Sequence, residues 1–256
     1  MSNEVLYEVD GHVATLTLNR PDARNAVSPE LTLAMDAAVQ RFEADPEVWV
    51  GILTAAGPNF CAGADLKAIG AGRGSELSTA AGGFAGFVRY PRTKPVIAAV
   101  RGFALAGGTE LVLSCDLVVA STDTFFGLPE VTRGIVAAAG GLFRLPRILP
   151  PARALELILT AERLGSQEAH RFGMVNHLAE PDAVLDRARE LAAAICKNAP
   201  LAIRESLAIA REAQLMTDEQ GWERSAAAMK RVGGSNDAAE CVRAFIEKRP
   251  ATWTAS

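Results

Sequence analysis

The chain has 256 residues and a net charge of −4 at pH 7, and 49% of its residues are hydrophobic while 22% are charged. This composition is ordinary for a folded protein and supplies enough apolar side chains for one large α/β core. Lysine and arginine are scattered along the chain, which argues against a nucleic-acid partner. The longest apolar stretch, residues 95–108, is interrupted by Arg101 and is too short to span a bilayer.

The N-terminal part of the chain shows a strand pattern followed by a helix pattern. Residues 1–5 lack the basic and apolar segments of a signal peptide, so we expect a cytoplasmic location. Residues 12–18 alternate apolar and polar side chains, which predicts a strand. The Ser-Pro-Glu run at residues 28–30 combines a capping hydroxyl, a proline suited to the first helical turn and an acidic side chain. A helix is therefore predicted to begin there and to end before Pro46.

The middle of the chain alternates short apolar runs with a helical segment. The apolar runs at residues 50–54, 95–100 and 116–120 predict strands, and residues 107–114 predict a helix that rises from a glycine turn. Strands that alternate with helices indicate a mostly parallel sheet with covered faces. Residues 70–86 are rich in glycine, alanine and serine, so a flexible loop is predicted there.

Helical patterns dominate from Pro150 onward. Helices are predicted at residues 152–160, 166–172, 185–197, 201–214, 218–231 and 237–248. A strand-like run at residues 174–178 interrupts them. The sequence therefore predicts a βα core followed by a helical C-terminal part.

Two turns rich in small residues, at residues 60–67 and 106–110, each stand where a strand gives way to a helix. Backbone N–H groups at such helix starts can hold an oxyanion, because small side chains leave them accessible and the helix dipole favours negative charge. The second turn ends in Glu110, and Glu130 follows in a Gly-Leu-Pro-Glu run. Two nearby carboxylates can share a water molecule and move protons. Together these features predict chemistry on an activated carbonyl compound.

Each of these features also has an ordinary structural interpretation. Two glutamates 20 positions apart are, by spacing alone, more often surface charges, and residues such as Ala64 and Gly107 often only close tight turns. The three histidines have no partner at a metal-ligand spacing, so no metal is predicted. Of the four cysteines, Cys61 alone lies in one of the two turns, and we expect it to pack rather than react.

The order of several motifs resembles the crotonase superfamily, the enoyl-CoA hydratase/isomerase family, over nearly the whole chain. The motifs are Leu18-Asn19-Arg20-Pro21, Arg24-Asn25-Ala26, the turn at residues 60–67, Gly107-Gly108-Thr109-Glu110-Leu111, Phe126-Gly127-Leu128-Pro129-Glu130, Gly140-Gly141, Leu159-Thr160 with residues 169–176, and Ala244-Phe245-Ile246-Glu247-Lys248-Arg249-Pro250. Each motif is weak alone, and their common order carries the resemblance. One departure lies at residues 133–141, where alanines stand in place of a Pro-Gly-containing turn often found in the family. That turn helps to orient the second glutamate in hydratases, so the aim of Glu130 or the acyl pocket could be altered here.

The resemblance implies an α/β fold in which repeated ββα and βαβ turns form a spiral, with a helical C-terminal region that mediates trimerisation. Residues 1–195 would form the spiral core with the active site. Residues 196–256 would form the helical region that builds the oligomer and acts as a lid over the acyl and CoA pocket. The expected assembly is a homotrimer or a hexamer made as a dimer of trimers.

The resemblance also implies a coenzyme A thioester as ligand, with no separate cofactor. The backbone N–H groups of Ala64 and Gly107 would form the oxyanion hole, and Glu110 and Glu130 would be the two catalytic carboxylates. Contacts with substrate and CoA are expected from Arg24, Ala26, Ala62, Asp65, Leu66 and Lys67. Residues 84–88 and 135–143 are expected to shape the acyl pocket.

The main hypothesis is an enoyl-CoA hydratase of fatty-acid metabolism, which adds water syn to a 2-enoyl-CoA and gives a 3-hydroxyacyl-CoA. Glu130 is the favoured proton donor to the α-carbon, and the choice of the first base stays open. Sibling reactions of the superfamily are the alternative, such as double-bond isomerisation or dehydration of an unusual acyl-CoA, although an isomerase generally works with one carboxylate near Glu130. A non-catalytic acyl-CoA-binding protein is a third possibility, and the presence of both glutamates argues against it.

Overall fold

The computed structural model describes residues 3–256 and has the mixed α/β fold that the alternating strand and helix patterns predict. The strands are β1 (Val5–Asp10), β2 (Val13–Leu18), β3 (Val50–Ala55), β4 (Ser78–Thr79), β5 (Gly83–Phe84), β6 (Val96–Val100), β7 (Phe103–Leu105), β8 (Leu117–Ser121), β9 (Phe125–Gly127), β10 (Leu164–Gly165) and β11 (His177–Ala179). The helices are α1 (Pro29–Ala44), α2 (Leu66–Gly70), α3 (Gly107–Leu113), α4 (Gly141–Ile148), α5 (Pro151–Thr160), α6 (Ser166–Arg171), α7 (Val184–Cys196), α8 (Pro200–Glu212), α9 (Asp218–Gly233) and α10 (Asn236–Glu247). Short 3₁₀ helices lie at Pro21–Ala23, Gly74–Leu77, Pro129–Arg133, Pro181–Ala183 and Ala213–Leu215.

A six-stranded sheet forms the centre of the molecule, in the order β1-β2-β3-β6-β8-β11. β1 and β2 pair antiparallel, whereas the other neighbouring strands run parallel, which confirms the predicted mostly parallel sheet. Every residue of β6 is buried, as expected for a parallel strand that is covered on both faces.

Two hydrophobic clusters lie on opposite faces of this sheet. On one face, α1 contributes Leu31, Met35 and Val39 to the larger cluster. On the other face, α7 contributes Ala188 and Ala192 to the smaller cluster, which also holds alternate residues of the central strands. Because successive side chains of a strand point to opposite faces, one strand can supply both clusters.

The first long helix begins and ends where its sequence signals place it. The hydroxyl of Ser28 accepts a hydrogen bond from the backbone N–H of Leu31 at 3.0 Å, and Pro29 is the first helical residue. The helix ends at Ala44, before Pro46. The capping hydroxyl satisfies one of the N–H groups that a helix start leaves unpaired.

The helices predicted for the C-terminal half are present as α5 to α10, with small shifts at their ends. The strand predicted at residues 174–178 is shorter than expected and begins only at His177. None of the helices within residues 3–256 combines the length and apolar character needed to cross a bilayer.

Residues 70–86, predicted as a flexible loop, contain regular secondary structure. They contain the 3₁₀ helix Gly74–Leu77 and a hairpin of β4 and β5. The hydroxyl of Thr79 donates to Asp36 of α1 at 2.7 Å, and Arg73 forms an ion pair with Glu30 of α1 at 3.0 Å. Polar contacts between distant segments therefore hold a stretch whose composition suggested mobility.

A second sheet of three short strands, in the order β10-β9-β7, was not predicted. Strands of two or three residues are too short for an alternating pattern to be recognised. β7 runs parallel to β9, and it leads directly into the turn that begins α3. This small sheet therefore positions the second of the two small-residue turns.

Candidate active site

The first small-residue turn presents a free backbone N–H at Ala64. The N–H of Val27 donates to the carbonyl of Gly63 at 2.8 Å, and the N–H of Asp65 donates to the carbonyl of Val27 at 2.9 Å. In such a parallel bridge the flanking residues make the bonds, so the N–H of Ala64 points to the other side. It has no acceptor within residues 3–256.

The second turn presents the N–H of Gly107, the first residue of α3. The preceding residue, Ala106, has φ 53° and ψ −127°. Residues other than glycine rarely adopt this backbone conformation, which marks local strain. No acceptor within the described part of the chain receives the Gly107 N–H, as expected for the first turn of a helix. The turn thus exposes a donor at a helix start.

Gly63 packs the two turns directly against each other. A Cβ atom at this position would lie 2.8 Å from Cβ of Ala106 and 3.1 Å from the backbone nitrogen of Gly107. Gly63 also has φ +92°, in the region that favours glycine. The two unpaired donors therefore lie on adjoining segments of backbone, as an oxyanion hole requires.

Glu110 lies in the first helical turn of α3 and is almost completely buried, with 3% of its surface exposed. Its Oε1 atom accepts a hydrogen bond from the backbone N–H of Gly141 at 2.9 Å. Burial raises the pKa of Glu110 to about 7, and the negative charge of Glu130 acts in the same direction. The backbone N–H groups of Gly141 and Ala139 and the cation of Arg144 oppose that rise.

Glu130 lies in the 3₁₀ helix Pro129–Arg133 and is 6% exposed. Its Oε2 atom is buried and has no hydrogen-bond partner within residues 3–256. Burial raises the pKa of Glu130, while its own backbone N–H and the cation of Arg133 act in the opposite direction. A buried carboxylate oxygen without a partner is unusual, and here it belongs to a residue that lines a cavity able to hold water or substrate.

One cavity of about 1370 Å³ collects all ten residues that the sequence singled out. They are Arg24, Ala26, Ala62, Ala64, Asp65, Leu66, Lys67, Gly107, Glu110 and Glu130. Residues of the expected acyl pocket line it as well, namely Phe84, Val88, Ile135, Val136, Ala138, Ala139, Gly140 and Phe143. This volume exceeds the range of about 300–1,000 Å³ that is common for pockets binding small molecules, so it suits a large ligand.

Cationic side chains line the part of the cavity beside the first turn. Arg24 and Lys67 are exposed, and neither side chain has a hydrogen-bond partner within the described residues. Asp65 is differently placed, because one of its oxygens accepts from the N–H of Lys67 at 2.9 Å and the other pairs with Arg20 at 3.1 Å. Burial alone would raise the pKa of Asp65, but the hydrogen bonds from Arg20 and from the backbone lower it. The Asp65 carboxylate is thus held in the protein as an anion.

Two residues of the cavity wall, Arg144 and Arg20, were not singled out for a role from the sequence, whereas Phe84 belongs to the expected acyl pocket. The ring of Phe84 lies beside Gly107, so close that a Cβ at Gly107 would come within 2.6 Å of it. Arg144 lines the cavity near Glu110, and Arg20 holds Asp65. The run Asn19-Arg20-Pro21 was noted in the sequence, but nothing in it indicated an ion pair with a residue 45 positions away.

The alanine-containing turn before Gly140 contacts a different glutamate from the one expected. It was expected to act on Glu130, whereas its backbone N–H groups at Ala139 and Gly141 bond to the carboxylate of Glu110. The alanines do not prevent this arrangement, because the backbone donors need no particular side chain. The positive φ of 118° falls on Gly140, which adopts it readily.

Cys61 is fully buried, and burial raises the pKa of its thiol to about 12. Its thiol donates to the carbonyl of Asn25 at 3.1 Å. A thiol in this state is a poor nucleophile, which confirms that Cys61 packs the turn.

Comparison with known proteins agrees with this geometry. Residues 8–256 match the family model described as enoyl-CoA hydratase/isomerase. A carnitinyl-CoA dehydratase from Salmonella arizonae is 40% identical over 99% of both chains. Among solved structures, the enoyl-CoA hydratase EchA1 from Mycobacterium marinum is 45% identical with a TM-score of 0.95, and a carnitinyl-CoA hydratase from Mycobacterium avium is 42% identical with a TM-score of 0.77, each covering 100% of both chains.

Proposed function

We propose that this chain, which belongs to the enoyl-CoA hydratase/isomerase family of the crotonase superfamily, catalyses the reversible addition of water to a 2-enoyl-CoA to give a 3-hydroxyacyl-CoA. The observation that carries the proposal is that one cavity contains both carboxylates and unpaired backbone donors. Two buried carboxylates, Glu110 and Glu130, share it with two unpaired backbone donors, those of Ala64 and Gly107. Membership of the family makes the protein a crotonase-type enzyme, and the choice of reaction and substrate is our proposal.

The backbone donors would bind the thioester oxygen. When water adds at the β-carbon of a conjugated thioester, the carbonyl oxygen takes up negative charge as an enolate forms. Donors already in place stabilise that charge without reorganisation, and removal of one typically costs about 3–4 kcal/mol of barrier. The N–H groups of Ala64 and Gly107 are suited to this because nothing in the described chain competes for them.

The two carboxylates would hold the water and move its protons. One carboxylate takes a proton from the water as hydroxide adds to the β-carbon, and the other, protonated, gives a proton to the α-carbon. The raised pKa values of both groups favour a state in which one carries a proton near neutral pH. We favour Glu130 as the donor to the α-carbon, because its Oε2 atom has no partner in the described chain, while Glu110 is held by backbone N–H groups.

The CoA part of the substrate would bind beside the first turn. Arg24 and Lys67 are exposed cations without partners among the described residues, and cations of this kind bind phosphate groups. Ala26, Ala62 and Leu66 would give apolar contact there. Asp65 would act mainly by shaping the turn, because its carboxylate already pairs with Arg20. The only cofactor-like group in this scheme is the CoA of the substrate itself.

A second candidate is the dehydration of a carnitinyl-CoA or another unusual 3-hydroxyacyl-CoA. The names of relatives at about 40% identity favour it, and the same two carboxylates serve the reaction in reverse. The acyl wall argues for a neutral acyl group, however. The ring of Phe143 already has the guanidinium groups of Arg144 and Arg147 at 5.4 Å and 5.2 Å, so a cationic acyl group would meet positive charge at that ring.

The test follows the loss of enoyl-thioester absorbance with crotonyl-CoA and longer 2-enoyl-CoAs, and the reverse reaction with carnitinyl-CoA. Glu110→Gln and Glu130→Gln should each lower the rate about a hundredfold or more, because each removes a group that transfers a proton. Glu8→Gln, on an exposed residue of β1, is the matched control and should leave the rate unchanged. Absence of hydration at every chain length, despite binding of the thioester, would contradict the hydratase and favour the second candidate or a binding role.

We also propose a cytoplasmic enzyme that assembles as a homotrimer or as a hexamer. Support comes from the C-terminal helices, which expose large apolar side chains in the single chain, among them Trp222 at 77% and Phe245 at 85%. Patches of this kind on a globular protein usually mark a protein–protein contact.

A further inference from the structure

Arg144 of α4 links two segments of the cavity wall. Its Nη2 atom donates to the carbonyl of Val88 at 2.7 Å, and its Nη1 atom donates to the carbonyl of Ala139 at 3.3 Å. Both acceptors belong to residues that line the cavity. One guanidinium group therefore connects the end of residues 84–88 to the turn that precedes α4.

That turn also holds Glu110. The backbone N–H groups of Ala139 and Gly141 donate to the Glu110 carboxylate, and the peptide between them contains Gly140. A Cβ atom at Gly140 would lie 2.5 Å from Nη1 of Arg144, so the guanidinium packs directly on the glycine. A shift of the Arg144 guanidinium would therefore move the peptide groups that orient the Glu110 carboxylate.

The charge of Arg144 lies over the ring of Phe143 at 5.4 Å but is not paired with a carboxylate in a salt bridge among the described residues. Its hydrogen bonds go to uncharged carbonyl groups. The ionisable groups that act on it are Arg92, Glu110, Cys115 and Arg147. Of these four groups, one is a carboxylate, and it is Glu110 of the candidate active site. Burying a cation costs desolvation free energy, and a neutral side chain could donate to the same carbonyls at a lower desolvation cost.

We propose that Arg144 is a positioning residue for the hydration reaction: its guanidinium fixes the Ala139–Gly141 turn on Val88, and its charge keeps Glu110 aimed at the cavity as a carboxylate. This inference rests on the proposed function for its effect on turnover. The arrangement itself depends only on the contacts of Arg144.

Two variants separate the charge from the hydrogen bonds. Arg144→Gln removes the charge and keeps a donor, and Arg144→Lys keeps the charge but loses the two-armed contact with Val88 and Ala139. We expect kcat to fall about tenfold to a hundredfold in Arg144→Gln and severalfold in Arg144→Lys, because a small misplacement of a reacting group has effects of this size. KM should change little, since Arg144 holds Glu110 rather than the CoA part.

A second measurement does not depend on turnover. The titration of the Glu110 carboxyl, followed by carbon-13 NMR, should lie near the value of about 7 in the wild type. In Arg144→Gln the pKa should be higher, because a nearby cation that favours the carboxylate is gone. Glu130, the other charged group that acts on Glu110, is unchanged in this variant. In Arg144→Lys the pKa should stay close to the wild-type value.

Arg171→Gln is the control, because Arg171 is an exposed arginine at the end of α6 and does not line the cavity. It should change neither kcat nor the titration of Glu110. The inference would be overturned by an Arg144→Gln protein that keeps kcat within twofold and titrates Glu110 as in the wild type. If Arg144→Gln does not fold, Arg144→Lys serves as the test. A lower kcat at unchanged KM in that variant supports the inference, and an unchanged kcat overturns it. If the wild type hydrates no enoyl-CoA, the proposed function fails, and the titration still decides on Arg144.

Discussion

Gly63 determines how closely the two small-residue turns approach each other. A methyl group at this position would overlap Cβ of Ala106 and crowd the backbone nitrogen of Gly107. The motif resemblance assigned the donors to Ala64 and Gly107, but it gave no role to the glycine between the turns. That role depends on a contact between residues more than 40 positions apart, which no local pattern records.

We expect Gly63→Ala to separate the two donors. The new Cβ would lie 2.8 Å from Cβ of Ala106, so one of the turns must move, and the left-handed backbone adds strain of about 1–3 kcal/mol. The value of kcat/KM for 2-enoyl-CoA should fall roughly a hundredfold, because the oxyanion loses a well-placed donor. Steady-state kinetics and thermal unfolding measure the two effects.

Gly72→Ala is the control for the backbone cost. Gly72 has φ +78° and nothing within 4 Å of an added Cβ, so the variant should lose some stability and keep its activity. Equal activity in the two variants would show that the approach of the turns at Gly63 does not matter for the reaction.

Long helices and strands were predictable because their signals are local. The cap at Ser28 and the proline at residue 29 mark the start of α1, and the apolar runs mark the central strands. The three-residue strands β7 and β9, by contrast, exist only because they pair with each other beside the turn at residue 106. The same holds for residues 70–86, which distant side chains of α1 fix in place.

The end of α1 depends on Lys94, which precedes β6. Lys94 is 1% exposed, and its Nζ atom donates to the carbonyls of Phe42 at 2.6 Å and Asp45 at 2.5 Å. A cation at a helix C-terminus also opposes the negative end of the helix dipole. Burial lowers the pKa of Lys94, and so does the nearby charge of Arg204.

We expect Lys94→Met to lower the free energy of unfolding by about 1.5–3 kcal/mol, because two carbonyls lose a charged donor while methionine still fills the space. Urea unfolding followed by circular dichroism measures the change. Lys197→Met replaces an exposed lysine and should be nearly neutral. A Lys94→Met protein as stable as the wild type would show that water replaces the lost donor at the end of α1.

In the single chain, the helical C-terminal region leaves much apolar surface uncovered. The exposed large side chains on and beside α8, α9 and α10 are Leu215, Trp222, Met229, Val242, Phe245 and Ile246. Large aromatic side chains such as those of Trp222 and Trp253 often anchor a core or an interface. Trp253 packs against the smaller hydrophobic cluster, whereas Trp222 is 77% exposed and so is not a core residue.

We expect the protein to self-associate through this surface, as a trimer or a hexamer. Phe245→Asp should shift the population toward smaller species, because it places a charge where an apolar contact would form. Size-exclusion chromatography with light scattering gives the mass of each species. Leu33→Asp, at a residue that is 66% exposed on α1, serves as the control. A wild-type protein that is monomeric at micromolar concentration would contradict the expected assembly.

The family, the order of the long elements and the identity of the candidate site residues could all be obtained from the order of amino acids. Caps, periodicities and motifs act over a few residues, so they are present in the linear chain. The chemical state of the site could not be obtained in that way. The rise in the pKa of Glu110 and Glu130 follows from burial, and the aim of Glu110 follows from backbone donors about 30 positions further along. Such properties arise when separate segments exclude water together, and they exist only in the folded chain.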